Sequence, residues 1–119
     1  MIPKFRAWDK KDKAIRDVTH IIYMYESVVL NVERTFYERT FCEIELMQLT
    51  GLKDKNGTEI YEGDIVKNIY DEIYVVKWFD AGFHLEEKYN GGFDYFELHF
   101  GDNKEVICNI YENPELLEG

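Results

Sequence analysis

The side chains that most often carry out chemistry are few in this sequence: three histidines (His20, His84, His99), two cysteines (Cys42, Cys108) and one serine (Ser27), set among 24 Asp and Glu. A metal site needs converging ligands, and C-x-x-C or H-x-x-x-H spacing is its usual trace. Neither occurs. His84 and His99 fall on adjacent expected strands and can approach across them, but isolated strand histidines are more often surface or hydrogen-bonded residues than ligands. A serine nucleophile needs a base and a strained turn to expose it. Ser27 has no G-x-S-x-G context and is expected at a turn. Both cysteines lie in apolar segments, and burial makes a poor thiolate. No Gly-rich loop opens a helix to cradle phosphate. With 24 acids, carboxylate pairs arise anyway, so a pair of the glycosidase kind carries no information. The chain is therefore expected not to be an enzyme, with no metal and no cofactor.

The most patterned stretch, "LMQLTGLKDKNGTEIYEGDIVKN" (residues 46–68), invites comparison with a calcium loop. Gly57 at the sixth position puts Asp54 and Asn56 at the third and fifth. The first and twelfth are then Leu52 and Gly63, so two essential carboxylates are missing. A hairpin corner fits better, with Asn56-Gly57 supplying two central residues of positive φ and Gly63-Asp64 launching the next strand. Asn56-Gly57-Thr58 also matches the glycosylation pattern, which has no consequence in a cytoplasmic protein.

The elements that would position these residues are strands. "IPKFRAW" (2–8) alternates, with Phe5 and Trp8 as core candidates that cannot share one face of a regular strand. "DKKDK" is a turn. Residues 15–32 suggest two strands joined near Glu26-Ser27, and 33–41 are irregular or extended. In "CEIELMQLTGL", Ile44, Leu46 and Gln48 share one side. Five strands follow, "IVKNIY", "IYVVKWF", "GFHLEEK", "FDYFELHF" and "KEVICNIY". They are separated by Asp71-Glu72, Asp80-Ala81-Gly82, Asn90-Gly91-Gly92 and Gly101-Asp102-Asn103. Turn signals this regular indicate a small antiparallel barrel or sandwich. Expected core residues are Val66, Val76, Trp78, Phe96, Leu98, Phe100, Val106, Cys108 and Ile110. "ENPELLEG" should form one short helical turn, with Asn113 as its cap and Leu116 or Leu117 covering a barrel end.

At 119 residues and 45% hydrophobic content, the chain is one domain able to bury a core without staples. Its nine Tyr and eight Phe favour pleated structure. The N-terminus has no apolar signal region, and no run nears the roughly 18 apolar residues of a membrane span, which points to a cytoplasmic protein with no membrane partner. Two cysteines are too few for a secreted disulfide scaffold. The net charge of −10 sits wholly in residues 60–119, because residues 1–59 balance ten Lys and Arg against ten Asp and Glu. Phosphate backbones repel such a surface, so nucleic acid is a disfavoured partner. Ten aromatics lie between Tyr70 and Phe100. A single-strand stacking platform would need an accompanying basic groove, which is missing.

"KFRAWDK", "LMQLTGLKDKNGTEIYEGDIVKN" and "EVICNIYENPELLE" resemble, in order and across nearly the whole chain, blocks of the YopX family of small phage and prophage proteins. The departure is Cys108, where relatives typically carry glycine. The resemblance implies an all-β fold: a small antiparallel sheet in an N-terminal lobe (about 1–50) plus a C-terminal SH3-like barrel lobe (about 51–119), together one YopX-like domain over 1–119. It implies a phage-encoded protein of a bacterial host cytoplasm and offers no catalytic residues to carry over. The expected role is a non-enzymatic accessory protein that binds a host or phage protein, as an oligomer through exposed aromatics and edge strands. One alternative is an acidic mimic of DNA that inhibits a host DNA-handling protein, its candidate surface being Glu86, Glu87, Asp94 and Glu97. Another is a nucleic-acid-binding barrel using the basic first sixteen residues with Phe5 and Trp8.

Overall fold

The computed structural model describes residues 4–79, 82–89, 92–98 and 104–117. His99, Phe100, the Gly101-Asp102-Asn103 turn and most of the Asp80-Ala81 and Asn90-Gly91 turns lie outside the described residues. Among the described residues there are eleven strands and three short 3-10 turns, and the strands pair antiparallel. The fold is all-β. The chain divides into two compact units, Met1–Gln48 and Leu49–Gly119.

The first unit holds β1 (Phe5–Asp9), β2 (Ala14–Ile22), β3 (Ser27–Val32), β4 (Thr35–Thr40) and the start of β5 (Ile44–Lys53), in the order β4-β3-β2-β1-β5. Its two edge strands, β4 and β5, are joined by only the 3-10 turn Phe41–Glu43. A flat sheet would hold those edges about 19 Å apart at ~4.8 Å per strand. A three-residue connection reaches only about 14 Å. The sheet therefore curls. The curl brings Asp9 of β1 to Arg39 of β4, across the two intervening strands, with Nε 3.2 Å from Oδ1. Asp9 and Arg39 side chains are only 2% and 13% exposed. The core is Ala7, Val28, Leu30 and Ile44, flanked by Val18, Ile21, Phe41 and Leu46. The buried side of β1 is thus Ala7 and Asp9, while Phe5 and Trp8 are only half-buried.

The second unit contains β6 (Glu59–Tyr61), paired with the far end of β5, and β7 (Asp64–Lys67), β8 (Ile73–Phe79), β9 (Gly82–Tyr89), β10 (Gly92–Glu97) and β11 (Glu105–Asn109), ordered β10-β9-β8-β7-β11. A four-strand meander with the fifth strand returning beside the first is an order suited to a small barrel. No pairing joins β10 to β11 among the described residues, so the sheet is not closed there. Its core is Ile60, Val66, Tyr74, Val76 and Leu85, with Leu52, Phe83, Leu98 and Val106 packed against it. Trp78 and Phe96 share that face yet remain about half exposed, 46% each, edge-on to Phe83 and Tyr74 respectively. Cys108 does not join Val106. A bulge shifts the register so that Val106 opposes Val66 and Cys108 opposes Ile65, and Ile107 is the extra, exposed residue. A one-residue shift sends Cys108 to the other face.

Residues 46–68 form a corner held by two buried aspartates. Asp54 Oδ1 accepts the N–H groups of Asn56 (2.9 Å) and Thr58 (2.8 Å), and its Oδ2 accepts that of Val106 on β11 (2.9 Å). Within residues 54–58 only Gly57 has positive φ (82°), so the hairpin is a five-residue Asx loop, not the expected two-residue turn. Asp64 Oδ2 accepts Tyr61 N–H at 2.8 Å. Gly63, at φ 87°, donates to the Val76 carbonyl and accepts from Ile110 N–H. Such close backbone approach on both sides, at positive φ, suits only glycine.

Candidate interaction surface

The four candidate acids lie on β9 and β10, where the register sets Asp94 opposite Glu87, Tyr95 opposite Glu86 and Glu97 opposite His84. Strand side chains alternate. Glu87 and Asp94 therefore share the face of Leu85, and Glu86 and Glu97 the other. The quartet forms two pairs on opposite faces, not one acidic patch. Glu86 is further occupied: Lys77 lies 3.5 Å away, and its carboxylate accepts the Tyr95 hydroxyl. That hydrogen bond, then burial and the charge of Glu86, push the Tyr95 phenol above its ordinary pKa.

The outer face of β8–β10 is aromatic. His84 stacks on Phe79 with centroids 4.0 Å apart, and Tyr95 meets Phe79 edge-on at 5.0 Å. His84 Nδ1 donates to the Gly82 carbonyl at 3.1 Å. Among the described residues no three His, Cys, Asp or Glu side chains converge as a metal site would require, and His99 lies outside them. No helix among the described residues is long and apolar enough to cross a membrane.

The nucleophile candidates are placed differently from expectation. Ser27 opens β3 and is buried, because the turn falls earlier, on the 3-10 residues Tyr23–Tyr25. Cys42 is exposed rather than buried, since it sits in the short connection between β4 and β5. Cys108 is half-buried, and burial, with Glu115, Asp64 and Glu112 nearby, pushes its thiol pKa up. Both thiols are free.

Other large apolar residues are exposed on strands, among them Phe36, Trp78, Phe93 and Phe96, but among the described residues the most exposed, all above 70%, sit at two hairpin tips that strand reading alone does not find. Tyr23, Met24 and Tyr25 join β2 to β3 and are 77%, 85% and 72% exposed. Glu26 closes that turn at φ 49°, its N–H on the Tyr23 carbonyl and its carbonyl taking Phe41 N–H. Ile69 and Tyr70 join β7 to β8 and are 72% and 76% exposed. They were expected to continue a strand, but β7 ends at Lys67. Asn68 is the reason: its Oδ1 accepts the N–H groups of Tyr70 (2.9 Å) and Glu72 (3.0 Å), and its Nδ2 donates to Glu72 and to the Tyr74 hydroxyl.

Two antiparallel all-β units, their buried carboxylates taken up by backbone donors and by Arg39 and their most exposed apolar side chains on turns, define an all-β scaffold of strands and loops. The chain belongs to the YopX family, whose model, described as YopX protein, matches residues 4–118. It is similar to protein EF1440 from Enterococcus faecalis, known from a crystal structure: 32% identity over 99% of each chain, with a TM-score of 0.56. It is also similar in fold to protein yopX from Bacillus subtilis, at 21% identity over 97% of this chain and 98% of that one, with a TM-score of 0.64. No curated protein matches it.

Proposed function

We propose that this chain is a non-enzymatic protein-binding module, encoded by phage or prophage and acting in the cytoplasm of the bacterial host. The observation that carries the reading is the display of large apolar side chains, Tyr23-Met24-Tyr25 and Ile69-Tyr70, on turns fixed by their own hydrogen bonds. Exposing such residues forgoes roughly 1.5–3 kcal/mol of burial per side chain, and clustered exposed apolar groups mark interaction sites. The edge of β4 is less inviting, because Glu43 takes the Thr40 N–H and Arg39 covers the Glu38 carbonyl. Partner contacts through side chains therefore fit better than strand addition. The acidic DNA-mimic reading loses support from the split of Glu86 and Glu97 from Glu87 and Asp94.

Affinity capture from nuclease-treated host lysate, followed by mass spectrometry, tests the proposal. A single host or phage protein recovered in stoichiometric amount supports it. Recovery of the bait alone counts against it. Light scattering of the purified chain tests self-association, which a purely monomeric chain at high concentration would rule out.

A further inference from the structure

The chain contains an internal control for its own Ile69-Tyr70 tip. Two hairpin loops of the second unit, 54–58 (DKNGT) and 68–72 (NIYDE), are built alike. In each, the first residue is an Asx whose Oδ1 accepts the N–H groups of the third and fifth: Asn56 and Thr58 for Asp54, Tyr70 and Glu72 for Asn68. In each, the first N–H donates to the fifth carbonyl and the fourth N–H to the first carbonyl. The fourth residue has positive φ in both, 82° at Gly57 and 61° at Asp71. The flanking pairs also correspond, Lys53 with Glu59 and Lys67 with Ile73.

The turn is the same and the tips are not. Positions two and three are Lys55-Asn56 in one loop and Ile69-Tyr70 in the other. Polar residues satisfy this turn fully, as is usual for turns, so the backbone has no need of Ile69 and Tyr70. The described core of the unit does not include them, and both point at solvent. Because Asn68 holds the loop in place, the tip is ordered before any partner arrives, which lowers the entropic cost of binding. The tip is followed directly by Asp71 and Glu72, both exposed, in the half of the chain that carries the whole −10 charge; Lys67 lies 3.5 Å from Asp71, leaving the flank net negative by one.

We propose that Ile69 and Tyr70 are the anchor residues of a protein interface, and that their partner offers an apolar pocket rimmed by Lys or Arg. This deepens the protein-binding reading and rests on it. Paired aliphatic and tyrosyl anchors on a rigid turn suit a preformed pocket, with the acidic flank setting orientation and encounter rate.

The test places p-benzoyl-phenylalanine at Tyr70, with a second chain labelled at Lys53 as control, and irradiates each in nuclease-treated bacterial lysate. The proposal expects one adduct from position 70 and none above background from position 53. Ile69→Ser should lower the adduct about tenfold, as loss of an anchor does. Raising salt from about 50 to about 500 mM should lower it further, because the rim contacts are screened. Capture by the unlabelled I69S/Y70N chain should fall in step, with its melting temperature unchanged because Asn68 is intact. Equal adducts from both positions, or insensitivity to Ile69→Ser, overturns the anchor. Insensitivity to salt overturns the basic rim. If the wild-type chain captures a partner and I69S/Y70N captures it equally, the tip proposal fails while the binding-module reading stands. If wild type captures nothing, both fail.

Discussion

Removal of the Asp54 carboxylate should unfasten β11 from the hairpin loop. Asp54 is 6% exposed, and its two oxygens accept three backbone N–H groups, two inside its own loop and that of Val106, 52 residues away. In Asp54→Ala the loop donors can turn to water, each losing about 0.5–1.5 kcal/mol. The Val106 N–H, part-buried on β11, loses a charged acceptor, which costs about 1.5–3 kcal/mol. The expected loss is about 3 kcal/mol, confined to the second unit. Asp54→Asn keeps one acceptor oxygen for the loop but offers an amide or a neutral oxygen to Val106, and should lose about 2 kcal/mol. Burial alone would raise the Asp54 pKa; the donors of Val106, Thr58 and Asn56, with Lys55 nearby, outweigh it and hold the carboxyl below its ordinary value. The stabilisation is therefore complete above about pH 4, the unfolded-chain value, and is lost as pH falls through the lower folded value. Native-state hydrogen exchange at the Val106 amide, with urea unfolding at pH 7 and again near pH 3, reads all of this. A loss under about 1 kcal/mol at pH 7, with Val106 protection unchanged, would refute the reasoning.

Other substitutions separate the remaining structural claims. Arg39→Ala leaves Asp9 buried without its charge partner and should cost about 3–5 kcal/mol by denaturant unfolding, far more than Lys10→Ala, whose pair with Glu45 is exposed. Gly57→Ala should cost about 1 kcal/mol from backbone strain alone, since a Cβ there meets nothing within 4 Å. Gly57→Asp should cost less, because Asp71 already occupies the matching position of the twin loop. In the native chain Cys42 should react with iodoacetamide well before Cys108, and equal rates measured by mass spectrometry would contradict the burial of Cys108.

Much of the fold was legible because strands announce themselves by alternation and by Gly and Asx residues at their ends. The strands β8 and β9 and the 3-10 turn Pro114–Leu117 follow those signals closely, whereas β7 stops at Lys67, short of the expected Ile69-Tyr70. What was hidden depends on distant partners. The choice of Ala7 and Asp9 over Phe5 and Trp8 follows from Arg39 arriving 30 residues later across a curled sheet. The bulge at Ile107 carries no local mark, yet it sends Cys108 to the opposite face from Val106. The Asn56-Gly57 dipeptide suggested a two-residue turn because Asp54 was weighed as a metal ligand rather than as an acceptor of backbone N–H groups.

The candidate surface was partly legible. Glu86 and Glu87 are consecutive on a strand, and consecutive strand residues must face opposite ways, so the quartet could have been divided from the sequence. The Ile69-Tyr70 tip was concealed inside "IVKNIY", which looks like a continuous strand. Its signal was the spacing from Asn68 to Asp71, identical to that from Asp54 to Gly57. In both loops of this chain, an Asx residue three places before a residue of positive φ marks the turn, whatever lies between.

The most direct test of the central claim is the apparent size of the chain in nuclease-treated extract of its host, measured by size exclusion beside the purified chain. A protein-binding module should elute from extract well above its size when purified, and I69S/Y70N should return it to that size. If wild type in extract and the purified 14.3 kDa chain elute together, the protein has no partner there and the account is contradicted.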